Sequence, residues 1–156
     1  VPVPSAEAQS PRVLIIGAGP IGLEAAVLLV QSGFAVSVVE QGATVASSVR
    51  HWGHVRLFSS NALNCSEWGM RVFDDLELDI RPDPAEMPTG EEFAERYLDC
   101  LARWLEHSPR AEILLETQVV SVSRKGILKN EQVKAAGECG RDNAPFCCLL
   151  SKGENE

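Results

Sequence analysis

The sequence predicts an α/β fold built on a parallel sheet, and three features near its amino end support this prediction. Residues 13–16 are a short apolar run, typical of a strand that is covered on both faces of a parallel sheet. A glycine-rich turn and an apolar helical stretch follow, and Gly33 stands where a helix C-cap is expected. Residues 35–39 are a second apolar run of strand length. This order of strand, helix and strand predicts a βαβ unit with both strands in one sheet.

The turn between the first strand and the helix has the pattern Gly-x-Gly-x-x-Gly. In such a turn the first glycine permits a tight bend, the second lets a pyrophosphate approach the backbone, and the third lets the helix pack close to the sheet. The free N–H groups and the positive dipole end of the helix then face the phosphates. The turn is therefore predicted to hold the ADP half of a dinucleotide through Gly17, Ala18, Gly19, Pro20, Ile21 and Gly22.

An acidic residue closes the second strand. Glu40 lies 18 residues after Gly22, where a carboxylate accepts hydrogen bonds from an adenosine ribose. The same charge repels a ribose 2′-phosphate, so the site favours FAD or NAD over NADP. Gln41, the next residue, completes this part of the predicted cofactor site. The alternative is that the glycines serve only a turn and that Glu40 is an ordinary strand-end acid.

Length and composition indicate one globular domain. The chain has 156 residues, of which 45% are hydrophobic and 23% charged, enough for one core. The net charge of −8 argues against a nucleic-acid surface, and no apolar run approaches the length of a membrane span. Residues 1–11 are predicted to be a flexible leader, residues 12–150 the dinucleotide-binding domain, and residues 151–156 a tail.

The cysteines and histidines predict neither a disulfide scaffold nor a metal site. There are five cysteines, an odd number, and they form no C-x-x-C pair. The three histidines show no ligand-like spacing with them. Adjacent Cys147 and Cys148 lie in an apolar run and are interpreted as buried thiols, with a redox-active dithiol as the alternative. This cysteine usage indicates a reducing, cytoplasmic compartment.

Residues 50–73 combine aromatic and cationic groups without a period of 2 or 3.6. They include two Trp, two His and three Arg. We expect an irregular segment that contacts a planar, phosphorylated ligand. Arg50 or Arg56 would meet the pyrophosphate, and Trp52 or Trp68 would stack on a ring. The alternative is a hydrophobic loop with exposed arginines.

A helix is predicted to begin at Thr89 and to end before Pro109. Residues 79–88 contain three prolines and predict no regular structure. Thr89 and Glu92 have the spacing of a capping box. Tyr97 is interpreted as a core aromatic rather than a catalytic acid. The apolar face of the helix repeats every four residues: Phe93, Tyr97, Leu101 and Leu105.

The last third of the chain is predicted to be mostly strand. Residues 112–123 are interpreted as a third parallel strand beside the first βαβ unit. Residues 124–134 and 145–150 are expected to form a small β-meander, with a polar loop at 135–144.

The chain resembles the N-terminal, FAD-binding portion of FAD-dependent monooxygenases and of thioredoxin-reductase-like pyridine-nucleotide oxidoreductases. The resemblance is carried by VLIIGAGPIGLEAA, by Glu40, by the Trp/His/Arg segment and by ETQVVSV. It implies a Rossmann-like domain that binds FAD, with the ADP moiety at the glycine turn and Glu40. It also implies that Val119 or Val120 lies beside the adenine, and that Trp52 and Arg56 lie on the flavin side.

Two elements of that family are absent, which indicates an incomplete FAD/NAD(P)-binding domain. There is no second Gly-x-Gly-x-x-Gly for the NADPH that a full-length relative uses, and no closing strand with its alanine-threonine-glycine-like turn. Three hypotheses follow. The chain is an FAD-binding, monooxygenase-like oxidoreductase or a truncated form of one, an NAD-binding Rossmann enzyme domain, or a catalytically inactive nucleotide-binding or interaction module. No catalytic residue and no oligomeric state is predicted, and whether the chain is an enzyme stays open.

Overall fold

The protein is described by a computed structural model that covers residues 12–79, 81–126 and 144–152. Three strands form a parallel sheet in the order β1-β2-β3. They are β1 (Arg12–Ile16), β2 (Ala35–Val39) and β3 (Ala111–Leu114). Two further strands, β4 (Thr117–Arg124) and β5 (Phe146–Lys152), form a small antiparallel pair. The α/β class with a parallel sheet and a small antiparallel unit is therefore confirmed.

Helices pack against the parallel sheet, and one π-helical turn interrupts them. In chain order they are α1 (Pro20–Gln31), α2 (Ser47–His51), α3 (Asn61–Asn64), α4 (Glu67–Asp75), α5 (Gly90–Phe93), the π-helical turn (Ala94–Leu98) and α6 (Asp99–His107). Helix α1 contacts β2, α4 and α6, while α6 also contacts β3. The side chains of α1 that point into the core are fully or almost fully buried: Leu23, Ala26, Val27 and Val30.

Strand β1 lies at one edge of the three-stranded sheet and differs from the sequence expectation. The apolar run predicted a strand covered on both faces, but Leu14 is 39% exposed and Ile16 is 59% exposed. Ile15, between them, packs against the core cluster. In the part of the chain that the structure describes, the helices that cover this core pack on the side of Ile15.

The aromatic core lies around the π-helical turn. Tyr97 is fully buried within the turn. Its ring stacks between Phe73 of α4 and Phe93 of α5, with centroids 6.1 and 5.5 Å away. Thr89 caps α5 in the predicted capping box with Glu92. The prediction of a buried aromatic at residue 97 is therefore confirmed, although the helix carrying it is not a uniform α-helix.

The prediction of one strand over residues 112–123 is wrong. Strand β3 ends at Leu114, and β4 begins at Thr117 in a different sheet. Glu116 turns the chain between them with a positive φ of 51°. Its N–H donates to the Gly42 carbonyl (3.0 Å). The local pattern of apolar residues continues through this turn, so it does not reveal the change of sheet.

The prediction that residues 50–73 lack regular structure is also wrong, because α3 and α4 lie within them. Ser66 caps α4 by accepting a hydrogen bond from the Gly69 N–H (2.9 Å). The buried positions of α4 are Gly69, Val72 and Phe73, which have the i, i+3, i+4 spacing of one helix face. Trp68 and Arg71, which stack on one another outside this face, obscure the pattern in the sequence.

Some predictions fall outside the described residues. These are the leader at 1–11, most of the strand at 124–134 and of the loop at 135–144, and the last four residues of the tail. The predicted strand at 145–150 corresponds to β5. Among the described residues, no helix is both long and apolar enough to traverse a bilayer.

Candidate dinucleotide site

A cavity of about 490 Å³ lies at the carboxyl ends of β1 and β2. In an open parallel sheet, ligands bind in the crevice at this end of the strands. The glycine turn forms one wall, and Glu40 and the start of β4 form the other. The lining residues are Ile16, Gly17, Gly19, Pro20, Ile21, Gly22, Val39, Glu40, Gln41, Ser48, Thr117, Gln118 and Val119.

Each of the three glycines meets a different steric condition. Gly17 has a φ of +99°, which side chains rarely adopt. A Cβ on Gly22 would lie 1.9 Å from the Gly17 carbonyl oxygen, so only glycine allows α1 to approach the turn this closely. A Cβ on Gly19 would have nothing within 4 Å and would enter open space. Gly17 and Gly22 thus shape the turn, while Gly19 leaves free space beside it.

The N-terminus of α1 presents unpaired backbone donors beside this space. Gly19 is the N-cap, and the first bond of the helix runs from the Leu23 N–H to the Gly19 carbonyl (2.9 Å). Pro20 has no N–H. The backbone N–H groups of Gly19, Ile21 and Gly22 have no acceptor among residues 12–79, 81–126 and 144–152. With the positive end of the helix dipole, these groups favour an anion.

Glu40 holds the turn in place through its carboxylate. Its Oε2 accepts the Ala18 N–H and its Oε1 accepts the Gly42 N–H, both at 2.8 Å. A carboxylate has about four acceptor positions. Glu40 therefore keeps acceptor capacity for hydroxyl groups of a ligand while it fixes the backbone on both sides.

The start of β4 reaches the cavity because it hydrogen-bonds to the segment after β2. The Thr117 N–H donates to the Glu40 carbonyl (2.9 Å), and the Thr117 hydroxyl donates to the Leu115 carbonyl (2.8 Å). These bonds place Gln118 and Val119 on the cavity wall.

Most of the sequence-predicted cofactor residues are brought together here. Those that line the cavity are Gly17, Gly19, Pro20, Ile21, Gly22, Glu40, Gln41 and Val119. Ala18 is fully buried, where its N–H binds Glu40 and its carbonyl accepts the Ala46 N–H (2.9 Å). Val120 is 55% exposed at a β-bulge in β4 and is not among the cavity-lining residues.

Arg50 lies apart from the cavity lining. Its guanidinium donates to Glu91 (2.7 Å) and to both carboxylate oxygens of Asp99 (2.6 and 2.7 Å). The hydrogen bond to Asp99 is the main reason that the pKa of Arg50 is raised above its ordinary value. Arg50 is thus engaged between α2 and the α5–α6 region rather than facing the glycine turn.

Trp52 and Arg56 also contact the segment that leads into α5. The Trp52 ring packs on Gly90, where a Cβ would lie 2.6 Å from the ring. The Arg56 guanidinium donates to the Met87 carbonyl. Neither side chain lines the cavity.

Five residues of the cavity wall were not predicted as site residues: Ile16 and Val39, which were expected only as strand residues, and Ser48, Thr117 and Gln118. Thr117 and Gln118 directly precede the predicted Val119, and both lie in the quoted ETQVVSV, so the resemblance carried a signal for them. Ser48 had none. It arrives through α2, after Ala46 turns the chain with a positive φ of 57°.

Comparison with known families adds to this geometry. The family model described as pyridine nucleotide-disulphide oxidoreductase matches residues 14–137. The chain belongs to this family. The match includes the last three residues of β1, the glycine turn, Glu40 and all of β4. A search of curated proteins gives no match.

Solved structures share the fold at low sequence identity. Bacillithiol disulfide reductase Bdr (YpdA) from Bacillus cereus has a TM-score of 0.55 and 22% identity, covering 76% of this chain and 32% of its own. OTEMO, in complex with FAD and NADP, has a TM-score of 0.54 and 18% identity, and the match covers 93% of this chain and 23% of OTEMO. THI4 from Thermovibrio ammonificans has a TM-score of 0.53 and 15% identity, and the match covers 92% of this chain and 48% of THI4. The chain therefore spans less than half of the length of each of these proteins.

Proposed function

We propose that this chain binds the ADP moiety of FAD at the glycine turn and forms the flavin-binding part of a monooxygenase-like oxidoreductase. The observation that carries the proposal is the cavity that joins the unpaired N–H groups of α1 to the carboxylate of Glu40. Its volume of about 490 Å³ lies within the range of about 300–1,000 Å³ for small-molecule sites. Membership of the family and the FAD held by OTEMO support the choice of ligand.

Each wall of the cavity suits one part of the ADP moiety. The N–H groups of Gly19, Ile21 and Gly22 would hold the pyrophosphate, because nothing on the Gly19 side occupies that space. Glu40 would accept hydroxyl groups of the ribose. Backbone groups between Thr117 and Val119 would lie beside the adenine.

Bound FAD would supply the hydride and electron transfer, and the protein would supply binding and electrostatics. The described residues that face the cavity are mostly glycine, apolar or amide side chains, with Glu40 as the one acid. Their role in the proposal is to bind and orient the cofactor, and no acid–base role is assigned to them.

Gly19→Val tests the proposed site. Gly19 has ordinary dihedrals (φ −80°, ψ −174°) and open space at its Cβ, so the valine should leave the fold intact. The branched side chain would occupy the pyrophosphate position and abolish FAD binding. Fluorescence titration with FAD measures the affinity, and far-ultraviolet circular dichroism checks the fold. If Gly19→Val binds FAD as tightly as the wild-type chain, the site assignment is wrong.

NAD is the second candidate ligand, and one observation favours keeping it. The residues predicted for the flavin side, Trp52 and Arg56, contact the α5 segment, so the cavity wall consists of groups that any adenine dinucleotide would use. Parallel titrations with FAD, NAD and NADP separate the two. Tight FAD binding with visible flavin absorption supports the first candidate. NAD binding without flavin supports the second.

A further inference from the structure

We propose that Glu24 is a positioning residue for the dinucleotide site, acting through α1. It lies in the second turn of this helix, two residues after Gly22. Its carboxylate faces α4 and the π-helical turn, because its partners come from those elements: the Ser66 hydroxyl and N–H and the Tyr97 hydroxyl. The inference rests on the proposed function, since the site it positions is the proposed cofactor site.

The Glu24 carboxylate is held by hydrogen bonds alone. The Ser66 hydroxyl donates to Oε2 (2.5 Å), and the Ser66 N–H donates to Oε1 (3.1 Å). The Tyr97 hydroxyl also donates to Oε1. Among the ion pairs of the described residues, none involves Glu24. Hydrogen bonds to a charged group are about twice as strong as neutral ones, so this set joins three elements firmly.

The neighbouring groups keep their protons, which preserves this arrangement. Burial, followed by the hydrogen bond to Glu24, raises the pKa of Tyr97 far above its ordinary value. Burial, followed by the charge of Glu24, raises the pKa of the Cys65 thiol to about 12. Tyr97 therefore remains a donor, and Cys65 adds no second negative charge near the carboxylate.

Three local features converge on this contact. Tyr97 lies in the π-helical turn, a rare geometry that is frequent at functional positions. Gly69 faces its hydroxyl, and a Cβ there would lie 1.9 Å from the Tyr97 oxygen. Ser66 accepts the Gly69 N–H as the cap of α4 and donates to Glu24 at the same time.

The position of Glu24 links this cluster to the cofactor. Glu40 fixes the backbone before α1 through Ala18, and Glu24 fixes the helix two residues after the donor of Gly22 and three after that of Ile21. Donors that already occupy their bound positions bind an anion without a reorganisation cost. Loss of the Glu24 contacts would free the first turn of α1 and weaken cofactor binding without removing any group that touches the cofactor.

Glu24→Gln, Tyr97→Phe and the double variant of the full chain test the proposal. Both single changes keep the shape of the side chain and the stacked rings. Each should raise the FAD dissociation constant about threefold to tenfold, since each weakens a hydrogen bond to a charged group. The double variant should raise the dissociation constant by less than the product of the two single effects, because both changes act on the hydrogen bond between Tyr97 and Glu24. Fluorescence titration provides the constants.

Leu101→Val is the matched control, because Leu101 is fully buried in α6 and contacts none of the Glu24 partners by hydrogen bond. Urea unfolding gives the stability of each variant. At equal loss of stability, the control should keep the wild-type dissociation constant. The inference, but not the proposed function, would be overturned by either of two results. One is a dissociation constant for FAD that rises equally in the control, and the other is a dissociation constant that is unchanged in the Glu24 and Tyr97 variants. A wild-type chain that binds no FAD would overturn the proposed function and the inference with it.

Discussion

Within the described part of the chain, Glu40 makes four hydrogen bonds, two through its carboxylate and two through its main chain. The carboxylate accepts the N–H groups of Ala18 and Gly42. The main-chain N–H donates to Leu114 (2.8 Å), and the carbonyl accepts from Thr117 (2.9 Å). One residue thus fixes the glycine turn, the end of β3 and the start of β4.

Replacing Glu40 tests this role at the scale of the residue. Glu40→Gln keeps the size of the side chain but turns its NH₂ group toward one of two N–H donors. We expect the free energy of unfolding to fall by about 1–3 kcal/mol, because a partly buried donor loses its acceptor. FAD binding should weaken less than in Gly19→Val, since no clash is created. Urea unfolding and FAD titration give both values.

Glu112→Gln is the control for the loss of one charge. Glu112 lies on β3 and is exposed, and among the described residues its side chain makes no hydrogen bond or ion pair. Its stability should remain within about 0.5 kcal/mol of the wild type. A Glu40→Gln variant as stable as this control would contradict the proposed anchoring role.

Residue by residue, the sequence predicted the turn and not its surroundings. Gly17, Gly19, Gly22 and Glu40 act through local backbone rules that a motif records. Arg50 is different. Its partners Glu91 and Asp99 lie 41 and 49 residues away, and no local pattern marks such a pairing.

Helix α4 gives a prediction in which packing reverses helix propensity. Gly69 lies inside α4, where alanine normally stabilises by about 1 kcal/mol. Its Cβ would meet the Tyr97 hydroxyl at 1.9 Å, so we expect Gly69→Ala to lower the free energy of unfolding by about 1–3 kcal/mol.

Urea unfolding decides the sign of the Gly69→Ala effect. Adding Tyr97→Phe should recover part of the loss, because the nearest clashing atom is then absent while the ring carbon at 2.8 Å remains. A Gly69→Ala variant more stable than the wild type would show that α4 and the π-helical turn are less closely packed than described.

The capping box of α5 predicts a pH dependence. The pKa of Glu92 is lowered from 4.5, mainly because the Thr89 N–H donates to its carboxylate. A depressed pKa in the folded state adds stability above the ordinary pKa, and that stability is lost as the pH falls through the folded value. The stability advantage of the wild type over Glu92→Gln should therefore shrink below a pH of about 4.5.

Urea unfolding between pH 7 and pH 3 measures this difference. Glu106→Gln, on the exposed side of α6, is the control for the loss of one acidic residue. A difference between the wild type and Glu92→Gln that stays constant over this range would contradict the role of the ionised cap.

The sequence contains one signal of the π-helical turn. The apolar positions Phe93, Tyr97, Leu101 and Leu105 repeat every four residues, whereas an α-helix has 3.6 residues per turn. Over three repeats such a stripe would rotate away from the core of a uniform α-helix. A π-helical turn lengthens the local repeat and keeps the four side chains buried.

For the whole molecule, binding predicts a gain in stability that depends on the cofactor. A ligand that binds only the folded state stabilises it by RT ln(1 + [L]/Kd), about 2.7 kcal/mol at a free concentration of about 100 Kd. FAD should therefore raise the midpoint of thermal unfolding, and the rise should grow as the FAD concentration increases. NADP should raise it less, because its 2′-phosphate meets the charge of Glu40.

Thermal unfolding followed by circular dichroism, with and without each nucleotide, measures this gain. Gly19→Val is the matched control and should show no shift with FAD. A wild-type chain whose midpoint is unaffected by FAD and by NAD would contradict the proposed function.

The overall architecture was predictable to the extent that it is local. The first βαβ unit follows from periodicity and glycine placement, and its strands pair in parallel as expected. The division between β3 and β4 was not predictable, because Glu116 adopts a positive φ that its side chain does not signal. The cavity wall that depends on this turn was therefore only partly predicted.

The hydrogen bonds of Glu40 also constrain any attempt to engineer nucleotide preference. Accepting a 2′-phosphate would call for a cation in place of the acid, yet arginine and lysine have no acceptor atom for the N–H groups of Ala18 and Gly42. An arginine or lysine at position 40 would therefore release the glycine turn, whose nucleotide preference the substitution was designed to change. A change of coenzyme would need a second acceptor, supplied from elsewhere, for those two amides.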